Sequence, residues 1–338
     1  MAFFADCFFK LFGYISDRNY RKIIILLSIG VSILSVGFLQ YNFFWSAIII
    51  DGVFCNVTPI ARAAYCDINP LTNRTKLMTN TFLAQSVPWI VLCWNFDSVK
   101  EYLFVISLIL AFISLLSIIF WFRGITNKVL QPFIKEINDL KYKYYNSTFI
   151  KLGIAFVLLE ITYQIIPYFS EAHFNINNLQ KAYLFLGIGV ALGCTCHKFI
   201  KVSNHLKAVN LIILASFTLF FLEFLASFLT DKQYSIPLNI YLLFAFIGGL
   251  YWPLIYAIFA EKAKIHEEGL IFGSLESLQS IAEVIPPLIF IWVKNERLGY
   301  FPFIILLGMA FYLTYKKKLY SLSNHSRKGR KKESINVK

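Results

Sequence analysis

Apolar residues fall in long blocks along this chain, most of them close to twenty residues and separated by short polar connections. The blocks cover roughly 1–15, 23–41, 44–66, 78–96, 101–122, 149–169, 181–199, 207–229, 236–260, 270–293 and 299–316. A helix rises about 1.5 Å per residue and a bilayer core is about 30 Å thick, so each full block is one crossing. The pattern predicts eleven membrane helices, and the first is short: its residues span only about 22 Å. The interval 124–148 is longer and polar, with Pro132 and mixed charge. It predicts four parts: a helical bundle over 1–123, a linker over 124–148, a second bundle over 149–316 and a basic tail over 317–338.

Charge placement supports this division. Cytoplasmic connections of a membrane protein carry an excess of Lys and Arg. Counting from the loop at Asp17–Lys22, alternate connections hold Arg18, Arg21, Lys22, Arg74, Lys76, a run from Arg123 to Lys151, Lys198, Lys201, Lys207, Lys262, Lys264 and the whole basic tail. The opposite face holds Lys100, Lys181, Lys232, Lys294 and Arg297. The expected orientation puts the Asp17 loop, the linker and the C-terminus in the cytoplasm, in a cell or inner membrane. Eleven spans would then start outside, so the expectation is that the start lies upstream of Met1 or that a first helix has been lost.

Composition narrows the class further. The chain is 58% hydrophobic and 15% charged, with a mean hydropathy of +0.62. Soluble domains hold about 25% charged residues, so the fold class is all-α and polytopic. A net charge of +13 could suggest nucleic acid. Its position beside membrane helices argues instead for anionic lipid headgroups at the tail, which includes Arg327-Lys-Gly-Arg-Lys-Lys332, and against nucleic acid. The six cysteines mostly sit within apolar blocks, which disfavours a disulfide framework. Cys194-Thr-Cys196-His197 lacks a fourth zinc ligand unless His205 supplies one, so no metal and no cofactor is expected.

Three stretches carry more specific information. The first is Gly13-Tyr-Ile-Ser-Asp17-Arg18-Asn-Tyr-Arg21-Lys22, a short basic hairpin in which Gly13 permits close helix approach and Asp17 can cap or pair. The second runs from Asp51-Gly52 through Pro59, Ala-Arg62-Ala-Ala-Tyr65-Cys-Asp67 to Arg74 and Lys76. In it Pro59 is expected to bend a helix that Asp67 and Asn69 end. Arg62 lies one turn from that end and is expected to snorkel to the interface or pair with Asp67. The third runs from Glu268-Gly269 through Gly273, Glu276, Gln279 and Glu283 to Pro286-Pro287. Its small residues Gly269, Gly273, Ser277 and Ser280 form a stripe for close packing.

These three stretches resemble the major facilitator superfamily, closest to its drug:proton antiporter-like branch. They are similar to the loop after the family's second helix, its fourth helix and its eleventh helix. The resemblance implies two pseudo-symmetric bundles, a chain covering family helices two to twelve, and no first helix. It also implies that Asp17 meets the N-terminus of the helix beginning near Gly269, so that Gly13, Asp17, Arg18, Arg21, Lys22, Gly269 and Gly273 form a gate. The antiporter signature of the fifth helix is replaced by Gln85-Ser-Val-Pro88-Trp89, which keeps only the bending proline. The second-half counterpart of the gate motif is reduced to Gly189, Gly193, His197 and Lys198.

Ionisable groups inside a membrane cost at least about 2.5–3.5 kcal/mol each, so those present are functional candidates. Asp51, Glu160, Gln164, Glu276 and Glu283 are the candidates for substrate binding or proton coupling. Glu160 and Gln164 are one turn apart on one face, as Glu276 and Glu283 are two turns apart. Glu223 is a weaker candidate that faces outward as readily as inward. No Ser/His/Asp set, Walker loop or His-Glu-x-x-His motif supports an enzyme or an ATP-driven pump. The expected function is secondary transport of a small solute by alternating access, coupled to protons. The alternative is a non-transporting remnant or membrane scaffold.

Overall fold

The computed structural model describes residues 11–17, 21–54, 57–68, 74–94, 103–121, 150–162, 176–199, 205–229, 238–262, 268–292 and 296–315. They form α1 (11–17), α2 (Arg21–Gln40), α3 (Phe44–Phe54), α4 (Val57–Ile68), α5 (Arg74–Trp94) and α6 (Leu103–Trp121). The second half contributes α7 (150–162), α8 (Ile176–Phe199), α9 (His205–Leu229), α10 (Leu238–Lys262), α11 (Glu268–Trp292) and α12 (Glu296–Tyr315). No strand occurs among the described residues. Arg18, Gln164, the linker 124–148 and the tail beyond residue 315 lie outside them.

The described helices follow the apolar blocks. Within the block 44–66, residues 55–56 lie outside the described ones, and the flanking parts are labelled α3 and α4. Pro59 is the third residue of α4 as described. Pro88 lies within α5, whose helix continues to Trp94.

Among the described residues Arg21–Leu39, on α2, is the stretch long and apolar enough to cross a bilayer by length and composition alone. Shorter apolar stretches occupy α6, α8, α9, α10 and α12. On α6 large apolar side chains stand exposed at Ile109, Leu110, Phe112, Ile113 and Phe120. So broad an apolar surface suits hydrocarbon as its solvent.

Two buried cores hold the helices. The smaller joins Ile24, Ile25 and Ile29 of α2 to Ile60 and Ala64 of α4, with α6 packed behind. The larger spans both halves of the chain, from Met78 and Phe82 of α5 to Phe156 and Leu159 of α7 and to α10. Residues 253–260 of α10 are buried without interruption, which is the pattern of a helix enclosed on every side. Across the halves, α5 packs on α8 and α10, and α11 packs on α4.

The tightest pair is α8 with α10. A Cβ on Gly193 would stand 2.2 Å from the Phe246 carbonyl oxygen, and one on Gly249 would stand 2.4 Å from that of Val190. Both obstacles are backbone, so the helices touch without side chains between them. Pro253, inside α10, has no N–H to offer the Gly249 carbonyl one turn earlier. The Cys194 thiol of α8 donates to that oxygen instead, at 3.4 Å. Replacing Gly193 by Val is expected to destabilise the protein by about 1–3 kcal/mol, the usual range for overpacking. A thermal melt in detergent checks this, and a melt unchanged from wild type would show that the two backbones are not held together.

Candidate functional site

Two polar clusters interrupt the apolar interior. The first lies where α1 meets the N-terminus of α11. The first N–H groups of a helix have no intrahelical acceptor and carry its positive dipole end. Asp17 supplies that acceptor: its Oδ1 accepts from Gly269 N at 2.9 Å and its Oδ2 from Leu270 N at 2.8 Å. Arg21 pairs with Asp17 at 2.7 Å and reaches Asp67, at the end of α4, at 2.5 Å. The backbones meet without a spacer, since a Cβ on Gly13 would stand 2.3 Å from the Gly269 carbonyl oxygen. Ser16 ties back to the Gly13 carbonyl at 2.7 Å.

A second strap lies beside this contact. Arg74, the first residue of α5, pairs with Glu268 at 3.1 Å and donates to the Cys66 carbonyl at 2.9 Å. Sequence reasoning placed Arg74 only as a loop cation, because its partner is remote in the chain. Lys22, by contrast, donates to the Ile119 carbonyl near the end of α6 at 3.2 Å. Gly273 is buried one turn along α11 from Gly269.

Asp17 is almost wholly enclosed, and burial pushes its carboxyl up from 3.8 to about 7. Arg21 and the two backbone N–H groups pull the other way, while Glu268 adds to the rise. A carboxyl whose value is raised on closing binds a proton more readily in the closed arrangement. Closure is therefore favoured at low pH and loses that contribution as pH rises from about 4 to about 7, with no further change above. Distances between spin labels across this end should show the closed fraction falling over that window. Asp17→Asn should flatten the profile; an unaltered profile in that variant would assign the dependence to another group, such as Glu268.

The second cluster lies deeper, about two turns along α11. Arg62 of α4 is buried and forms an ion pair with Glu276 of α11. Its Nη2 donates to Gln85 Oε1 on α5 at 2.8 Å. Its Cζ stands 4.4 Å from the ring centres of both Phe82 and Tyr256, whose centres are only 5.2 Å apart. Those three distances place the guanidinium over a notch between two rings on one side of it, not between opposed plates. Tyr256 also donates to Glu276 at 3.0 Å, and Gln279 links on to Glu283 at 3.2 Å.

Glu160 of α7 joins this cluster through Trp252, which stacks on Phe82 and donates to Glu160 Oε1 at 2.5 Å. Glu160 is fully buried, and its Oε2 has no partner among the described residues. Gln85 and Glu283 are exposed, so the cluster is open on one side. Five helices from both halves of the chain therefore converge on one guanidinium and its carboxylates.

The structure thus brings together Glu160, Glu276 and Glu283 from the sequence-derived set. Asp51 lies on α3 and Glu223 on α9, and their side chains lie outside the described ones. Arg62 corrects the expectation of a snorkelling side chain. It is held 214 residues away by Glu276, because its face of α4 turns toward α11 and not toward the interface. Trp252 and Tyr256 were not singled out in the sequence. Their signal was a pair of polar-tipped aromatics one turn apart on an otherwise apolar helix. Among the described residues no group of three or more His, Cys, Asp or Glu side chains is placed to hold a metal ion.

A helical protein with lipid-suited surfaces and charged pairs spanning its two halves has the make-up of a membrane transporter. The Major Facilitator Superfamily profile matches residues 3–287, and the chain belongs to that family, one of integral multi-pass membrane transporters and not of enzymes. Solved structures agree on the fold. The human organic anion transporter MFSD10 (TETRAN) superposes with a TM-score of 0.78 at 16% identity, over 93% of this chain and 81% of that one. A bacterial homologue of the iron transporter ferroportin, in its outward-facing state, gives 0.68 at 12% identity, over 93% and 87%. The transporter FucP, in its outward conformation, gives 0.66 at 12% identity, over 93% and 88%. No curated protein sequence matches the chain.

Proposed function

We propose that this transporter moves a small solute by alternating access and couples that movement to protons. The two halves, 1–123 and 149–316, rock about the Arg62–Glu276 cluster, and the α1–α11 contact closes one mouth. The basic connections make that mouth the cytoplasmic one, with the C-terminus on the same side and the basic tail against anionic lipid. In this arrangement the Asp17 end is shut and the exposed Gln85 and Glu283 face the other way.

One observation carries the coupling: Glu160 is a fully buried carboxyl with an oxygen that meets no donor among the described residues. A charged group so placed is costly, and a proton removes the cost. Protonation at Glu160 and rearrangement at Glu276 then accompany solute entry and release. The experiment uses proteoliposomes with a trapped pH-sensitive dye. Adding the transported member of a solute panel should shift internal pH with wild-type protein. Glu160→Gln should abolish the shift while solute exchange continues, and a shift of wild-type size in that variant would remove the coupling role.

A further inference from the structure

Glu160 and Arg62 both present an unmet polar atom, but only one of them can be satisfied by a proton. A carboxyl loses its demand by taking one up. A guanidinium stays charged at any working pH, so its open donor needs an acceptor. Arg62 Nε is that donor: the side chain is only 4% exposed, and Nε meets no acceptor among the described residues.

The rest of the guanidinium is unevenly committed. Nη1 is held by Glu276. Nη2 touches only Gln85, a neutral side chain on the exposed side of the cluster. The Nε–Nη2 edge is therefore the geometry that binds a carboxylate through two parallel hydrogen bonds, with Gln85 as the group displaced. Beside it stands the notch of Phe82 and Tyr256, extended by Trp252 stacked on Phe82. That wall suits an apolar or aromatic body.

We infer that the transported solute is a carboxylate with an apolar body, docked on the Nε–Nη2 edge of Arg62 against this aromatic wall. The inference rests on the transport reading above and names its substrate class. Charge counting then ties the solute to a proton. Arg62 already balances Glu276, so an arriving carboxylate adds one negative charge that no further cation among the described residues of the cluster matches. Tyr256, Trp252, Gln85 and Gln279 are neutral and cannot compensate. A proton bound together with the solute offsets that added charge.

Benzoate, benzamide and benzyltrimethylammonium serve as probes, being similar in body and different in charge. Titration calorimetry with the purified full-length protein, at fixed ionic strength, should show benzoate binding at least tenfold more tightly than either analogue. It should also take up roughly one proton per benzoate, seen as a dependence on buffer ionisation heat. Arg62→Lys should weaken benzoate at least tenfold, since an ammonium has no fork. The Arg62→Gln/Glu276→Gln double variant, which removes both members of the ion pair and is checked for monodispersity, should lose the preference. The inference is overturned if wild type binds no benzoate, if it prefers the amide or the cation, or if the double variant keeps the preference. Transport of a cation or neutral solute would overturn it and leave the transport reading standing. Benzoate binding without any solute-driven proton movement in vesicles would count against coupling alone.

Discussion

A valine at Gly13 is expected to abolish transport by holding the Asp17 end open. A Cβ at that position would stand 2.3 Å from the Gly269 carbonyl oxygen and 2.8 Å from its carbon, both backbone atoms that no side-chain rotation relieves. The approach is reciprocal, since a Cβ on Gly269 would stand 2.6 Å from the Gly13 oxygen. Relief requires α1 and α11 to separate, which breaks both hydrogen bonds to Asp17. Hydrogen bonds to a charged partner are worth about 1.5–3 kcal/mol each, so losing two shifts a two-state equilibrium by more than about a hundredfold. The rest of each helix keeps its packing, so the variant should still fold. Vesicle uptake and alkylation of a cysteine placed at the Asp17 end test it together: no uptake and constant accessibility are expected. Uptake at the wild-type rate would show that closure does not need this contact.

Removing the Arg62 side chain should cost more stability than any other single change in the deep cluster. Arg62→Ala leaves Glu276, whose side chain is 17% exposed, without its cation, a loss toward the lower end of the range of about 3–5 kcal/mol seen for enclosed ion pairs. The contact over the Phe82–Tyr256 notch adds up to about 2 kcal/mol where water is excluded. Adding Glu276→Gln to the same chain should recover most of the loss, because a neutral amide can still accept from Tyr256. The double variant should thus melt above the single one. If the two losses simply add, the residues are not paired in the folded protein.

The contact of Asp17 with α11 was legible only through the resemblance, because Asp17 and Gly269 stand 252 residues apart in the chain and only the chemistry of each end is local. Gly13 and Asp17 stand one helical turn apart, Gly269 opens a helix whose small residues recur at one-turn spacing, and a carboxylate at a helix N-terminus follows from elementary electrostatics. The membrane class was legible from the apolar blocks. The deep cluster was legible only in part. Glu160 and Glu276 stood out as charges in apolar surroundings, but their partners did not. Whether Arg62 turns toward lipid headgroups or toward α11 depends on the rotation of α4 against a helix two hundred residues later, and periodicity within α4 carries no such information. Phe82, Trp252 and Tyr256 look like ordinary core aromatics until the fold sets them around a guanidinium. The Pro253 site is similar: the proline shows that a carbonyl is freed, and only the packing shows Cys194 meeting it.

The claim that most depends on all of this is that the mouth sealed by Asp17 opens and closes as the protein works. Spin labels at Ile23 of α2 and Glu261 of α10, in a chain with its native cysteines replaced, would report the distance across that mouth by pulsed resonance. The account predicts two distance populations in wild-type protein, with the longer one dominant in Gly13→Val. A single unchanged distance in both proteins would contradict it.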